Sequence, residues 1–84
     1  MEKQQNRIKV TVEDVARVLH SLRTKNGMTQ KTVADRLGIS QSNFSKMENG
    51  HLEPSAIQWM TFCQLMEIST ETIFQEKRRQ KTVD

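Results

Sequence analysis

An all-α, five-helix bundle is the fold class this sequence predicts, and three observations predict it. Proline occurs once and glycine only at positions 27, 38 and 50, too few for strands joined by many turns. Apolar residues recur at the three-and-four interval that places them on one helix face, as in Val33, Ala34 and Leu37 or Val12, Val15, Ala16, Leu19 and Leu22. Hydroxyl residues and glycines stand where helices would begin and end. Eighty-four residues with a hydrophobic fraction of 35% make one small domain with a modest core.

Residues 1–10 read as an N-terminal arm. MEKQQN is polar, and Arg7-Ile8-Lys9-Val10 alternates charged with apolar residues, the pattern of a short strand or extended arm. Ile8 and Val10 would rest on the first helix; in the sharper reading the arm pairs with a partner subunit or reaches DNA. The domain proper spans 11–76. Its first helix starts at Thr11, with Asp14 as a weaker form of the capping-box acid three residues on. The stripe of Val12, Val15, Ala16, Leu19 and Leu22 faces the core, Arg17, His20, Arg23 and Lys25 lie mostly off it, and Asn26-Gly27 ends the helix.

The stretch TQKTVADRLGISQSNFSKMENG, residues 29–50, reads as two short helices joined by a tight turn. Thr29 caps the first. Gly38 follows at the left-handed position where a residue without a Cβ costs least. Ile39 plugs the corner and Ser40 caps the next helix, which runs from Gln41 to about Asn49 and is stopped by Asn49-Gly50. On that helix Phe44 and Met47 share one face. Gln41, Ser42, Ser45, Lys46 and Asn49 fall on the other, with Asn43 partly sideways and Glu48 at the border, able to turn inward. The outer face has amide, hydroxyl and ammonium groups and no carboxylate, the groups that hydrogen-bond base edges and phosphates.

HLEP, residues 51–54, is a loop, and Ser55 caps a fourth helix, AIQWMTFCQLMEI. On a helical wheel Ala56, Trp59, Met60, Phe62, Cys63 and Met66 form the arc expected to wall the core, with Met47, Met60 and Met66 as core filler. Ile57 and Leu65 fall outside that arc, which implies a second packing partner, either the fifth helix or another subunit. The fifth helix begins at Ser69 or Thr70 and is anchored by Ile73 and Phe74. Residues 77–84 form a basic C-terminal tail carrying Lys77, Arg78, Arg79 and Lys81, read as solvated surface with a phosphate contact as the alternative.

The formal charge of +3 and pI near 9.4 agree with a polyanionic partner, and the excess lies in residues 1–27, with six basic side chains against three acidic. One cysteine excludes an intrachain disulfide framework and suits a reducing compartment. With no membrane-length apolar run and no hydrophobic signal segment, a cytoplasmic protein is expected. His20 and His51 lack partners at metal-ligand spacing, no glycine-rich phosphate loop exists, and Cys63 reads as a small buried hydrophobe. No catalytic residue, metal or cofactor is expected.

The order and spacing of LRTKNGMTQ (22–30), Ala34, LGIS (37–40), FSKMENG (44–50), Pro54-Ser55, Ile68-Ser69 and Ile73-Phe74 resemble the helix-turn-helix proteins of the Cro and phage-repressor type, the Xre-like family. The resemblance covers about Leu22 to Phe74 and implies a lambda-repressor-like bundle that binds double-stranded DNA. The helix 41–49 would enter the major groove, with Gln41, Ser42, Ser45 and Lys46 reading bases. Gln has the geometry for a bidentate contact to adenine, and Lys favours guanine or phosphate. The resemblance puts Gln30 on the phosphate backbone and behind Gln41; Thr29, Asn43 and Asn49 are further phosphate or support candidates, Asn49 equally a cap. It also pairs Arg23 with Glu48, where the alternative is two solvated charges worth little. At Glu67 the family usually has glycine, so the turn into the fifth helix is expected to differ.

Together these features imply a transcriptional regulator, a repressor acting as a homodimer on a palindromic operator, because one such helix contacts only a few base pairs. An antitoxin that also binds a toxin is the nearest alternative. A protein-interaction or coactivator module without base recognition is the alternative from another class.

Overall fold

A computed structural model describes residues 9–75. The N-terminal arm before Lys9 and the tail 77–84 therefore lie outside the described residues, and Lys9 and Val10 themselves are not in a strand. Four helices, α1 (Val12–Lys25), α2 (Gln30–Leu37), α3 (Gln41–Glu48) and α4 (Ala56–Met66), are followed by a short helical segment, α5, at 72–75. The described residues contain no strand. The fold is the expected all-α, five-helix one.

Each start is fixed by a side chain that satisfies N–H groups left free by the helix. Thr11 Oγ1 accepts from the Asp14 N–H at 3.2 Å, and Asp14 Oδ2 accepts from the Thr11 N–H at 2.8 Å, a full capping box. Asp14 is 4% exposed and its Oδ1 accepts from Arg17 at 2.7 Å, so the aspartate is a buried, satisfied carboxylate, not only a cap. Thr29 and Ser40 cap α2 and α3 through the N–H groups of Thr32 and Asn43. Ser55 and Gln58 make a second capping box. Gly38 ends α2 at φ 73, and Gly50 at φ 79 ends α3, with His51 N–H reaching back to the Lys46 carbonyl at 2.8 Å. These are left-handed positions where a Cβ is strained.

The core is the cluster of Leu19, Val33, Ala34, Phe44, Met47, Phe62 and Met66, with α3 packed on both α1 and α2, and α2 on α4. Two features depart from the expected arcs. On α1, Val18 is buried at 7% although it lies off the Val12–Leu22 stripe. On α4, Met60 is 51% exposed and Ala56 is exposed, whereas Leu65 packs on the core. Met60 is therefore not core filler. The α4 helix is apolar around most of its circumference, so its pattern does not single out an inward direction, and packing against α2 decides it. Ile57, as expected, lies outside, at 71% exposure. Trp59 is half-buried: its ring stacks on Phe62 at a centroid distance of 6.0 Å, and its indole N–H donates to the Thr70 carbonyl at 3.1 Å, tying α4 to the segment before α5. On α5, Ile73 is buried but Phe74 is 43% exposed, so only one of the two expected anchors is inside.

Glu67 takes the position where glycine is expected, and it adopts the left-handed conformation regardless, at φ 59. The turn is thus of the expected kind, with Cβ strain added. Glu67→Gly is expected to stabilise the domain by about 0.5–1 kcal/mol, part of the relief being cancelled by the greater freedom of glycine in the unfolded chain. A melting temperature that fails to rise would contradict this. Cys63 is 1% exposed, and burial pushes its thiol up to about 11. The folded protein should therefore be inert to a thiol reagent at pH 8 and react only as it unfolds. Fast labelling of the native protein would show that this wall of the core opens readily.

Candidate nucleic-acid interface

The candidate interface is built on the α2–turn–α3 unit. Three tight positions shape it: the Thr29 cap, the left-handed Gly38 and the Ser40 cap, while Ile39 N–H bonds back to the Ala34 carbonyl at 3.0 Å. Phe44 (0% exposed) and Met47 root α3 in the core. Gln41, Ser42, Asn43 and Lys46 are exposed as a consequence, and their side chains make no hydrogen bond among the described residues. Ser45 is half-buried at the margin of this face. Asn49 is the C-cap of α3, its N–H bonded to the Ser45 carbonyl at 3.0 Å, and its side chain is exposed. The Thr29 hydroxyl is engaged within α2, accepting from the Thr32 N–H and donating to Thr32 Oγ1 at 3.0 Å.

Glu48, the only acid on α3, turns away from this surface; its side chain is 4% exposed. Its Oε2 accepts from Arg23 Nε at 2.5 Å, and its Oε1 accepts from Arg23 Nη2 at 3.1 Å, a bidentate pair. Arg23 is 13% exposed and spends its remaining reach on the Met28 carbonyl at 2.8 Å, so α1, the α1–α2 turn and the end of α3 are joined. Burial on its own would raise the Glu48 carboxyl, but the hydrogen bonds from Arg23, Gln30 and His20 outweigh it and hold the group below its ordinary range.

Two of the donors on Glu48 have no place in the sequence reading. His20 Nδ1 lies 3.2 Å from Glu48 Oε1 and 3.4 Å from Arg23 Nη2. Gln30 Nε2 donates to Glu48 Oε1 at 3.0 Å. Its amide thus reaches the last residue of α3, of which Gln41 is the first. Its spacing on α2 gave no signal of this, because the bond spans eighteen residues and depends on how α2 and α3 cross.

Among the described residues there is no group of three or more His, Cys, Asp or Glu placed to hold a metal ion, and no helix is long and apolar enough to cross a membrane.

The model of the helix-turn-helix domain family matches residues 10–72. Three solved structures share the architecture. The clp gene regulator ClgR from Corynebacterium glutamicum superposes with a TM-score of 0.78 at 21% identity, over 92% of this chain and 82% of its own. The restriction-modification controller protein C.AhdI from Aeromonas hydrophila gives 0.68 at 22% identity, over 74% of this chain and 94% of its own. A variant of a second restriction-modification controller protein, C.Esp1396I, gives 0.72 at 18% identity, over 84% and 92%. No curated protein matches the sequence significantly. At such identities the likeness speaks for the fold, and the family rests on the matched residues. The chain belongs to the helix-turn-helix domain family.

Proposed function

We propose that this protein is a sequence-specific transcriptional regulator that acts as a repressor, binding double-stranded DNA as a homodimer with α3 in the major groove. One observation carries the reading. The exposed face of α3 bears Gln41, Ser42, Asn43 and Lys46 with their polar groups unspent, while the helix's single carboxylate is folded away onto Arg23. A face kept only for solubility has no reason to sequester its acid. A face laid against phosphates and base edges does, since a carboxylate there would repel the backbone. Gln41 and Ser42, at the N-terminal end of α3, are the residues such a helix brings deepest to base edges. Ser45 and Lys46 continue along the groove, and Thr29, Gln30, Asn43 and Asn49 border it as phosphate or support residues. Binding at an operator would repress by excluding polymerase.

Homodimerisation is supported by exposed Ile57, Met60 and Phe74, apolar groups on α4 and α5 that the other described residues leave uncovered. Two copies related by a twofold axis would read two half-sites about one helical turn apart. Enrichment from a random duplex library tests the whole reading. A palindromic winner bound by two copies in sedimentation supports it. The absence of any enriched site would favour a module that contacts only proteins, and a monomer on DNA would remove the twofold arrangement.

A further inference from the structure

His20 is the most exposed member of the cluster around Glu48. Its side chain is 60% exposed, against 13% for Arg23 and 4% for Glu48, with Gln30 half-buried. Its Nδ1 lies 3.2 Å from Glu48 Oε1 and 3.4 Å from Arg23 Nη2. Glu48 is ionised at neutral pH, and a carboxylate oxygen only accepts, so the shorter contact assigns a proton to Nδ1. Nε2, the other ring nitrogen, makes no hydrogen bond among the described residues. The same Oε1 accepts from Gln30, the first residue of α2, and Glu48 directly precedes Asn49, the C-cap of α3. The ring thus stands where the start of α2 and the end of α3 meet, beside residues that border the DNA backbone in the proposed function.

We infer that His20 is a phosphate-contacting residue that takes up a proton when duplex DNA binds, with Nδ1–H held by Glu48 and Nε2–H donated to the backbone. The inference rests on the reading of α3 as the helix laid in the major groove. A neutral ring protonated on Nδ1 offers a bare acceptor at Nε2, which a phosphate oxygen repels. Adding one proton from solvent turns that nitrogen into a donor and gives the ring a full positive charge. The bond it then makes to a phosphate is charge-assisted at both ends. The other groups facing the ring leave this role to it. Arg23, on the same helix, and Glu48, from α3, cancel each other, and Gln30, from α2, is neutral. Arg17, one turn earlier on α1, is paired with Asp14. Between pH 6 and pH 8 neither Arg23 nor Glu48 changes charge, so the ring alone makes the cluster responsive to pH.

The test is the affinity for a DNA duplex at pH 6 and pH 8, at several fixed salt concentrations, for wild type, His20→Gln and His51→Gln. Gln keeps a donor for Glu48 and never titrates, and the position is exposed, so the fold should hold. Wild type should bind about fivefold more tightly per subunit at pH 6 than at pH 8, because the bound state holds a proton that the free protein lacks. His20→Gln should flatten that dependence, and His51→Gln, which alters the chain's other histidine, should keep it. At pH 6, His20→Gln should also reduce the slope of log affinity against log salt by about one per subunit, and at pH 8 leave it unchanged. A histidine that merely braced Glu48 would not move the salt slope. Flat affinity in wild type, a pH dependence that survives in His20→Gln, or an unchanged slope at pH 6 would each overturn the inference. Phosphate contacts are indifferent to sequence, so any duplex serves the comparison. Binding without an enriched site would therefore sink the proposed base reading and leave the His20 contact decidable. Absence of pH dependence on a well-discriminated duplex would sink the contact alone.

Discussion

Phe44→Ala is expected to remove about 3–5 kcal/mol of stability, the cost of a large cavity at a site with no route to collapse. Phe44 is 0% exposed and sits among Leu19, Val33, Ala34, Met47, Phe62 and Met66, residues drawn from all four long helices. It is also the residue through which α3 is fixed to the rest of the molecule. A small domain has a total stability of about 5–15 kcal/mol, and one this short belongs near the lower end. The substitution should leave a substantial fraction unfolded at 37 °C. Urea unfolding would read it as a fall in midpoint at unchanged slope. A loss below about 1 kcal/mol would mean that α3 is held by its ion pair and caps rather than by burial.

Arg23→Ala should cost about 2–4 kcal/mol at neutral pH, because it strands a carboxylate that is 4% exposed; some water access at Arg23 places the value near the lower part of the range for buried pairs. The penalty depends on pH with a definite sign. Glu48 is held below its ordinary value of 4.5 in the folded wild type. Its pairing therefore contributes fully above about pH 4.5, and the contribution is lost as pH falls through the folded value. The difference between Arg23→Ala and wild type should accordingly shrink as the pH falls below about 4.5 and through the lowered folded value, since protonated Glu48 no longer needs a cation. Denaturant titrations of both proteins at several pH values would measure it. A difference that stays constant, or grows toward acid, would show that Arg23 acts through its bond to the Met28 carbonyl and its packing instead.

How much of this was legible in the sequence depends on how far apart the interacting residues are. The caps at Thr11, Thr29, Ser40 and Ser55 and the glycine turns at 38 and 50 are local chemistry, satisfied within three to five residues, and each stands where its residue type indicates. The inward face of α3 was equally readable, because Phe44 and Met47 are the only large apolar groups on an otherwise polar helix. The α4 face was not, because too many of its residues are apolar for spacing to discriminate, and Met60 and Leu65 exchanged places. Glu67 shows tertiary packing imposing a conformation that the residue type disfavours. The Arg23–Glu48 pair came only from the family resemblance, and the Gln30 and His20 bonds to the same carboxylate from neither source. Contacts across eighteen or more residues are set by the crossing of helices, which no local pattern encodes.

The central claim is that the exposed face of α3 reads base sequence. The most direct measurement compares wild type with Gln41→Ala/Lys46→Ala on the enriched duplex and on single-base variants of it, at one fixed salt concentration. Both side chains are exposed and make no hydrogen bond or ion pair among the described residues, so the fold should be unaffected. The account predicts that discrimination among the duplexes collapses, by about 1–3 kcal/mol at each contacted base pair, beyond any uniform loss of affinity from the missing lysine charge. An equal loss on every duplex, with discrimination intact, would place base reading elsewhere and contradict the account.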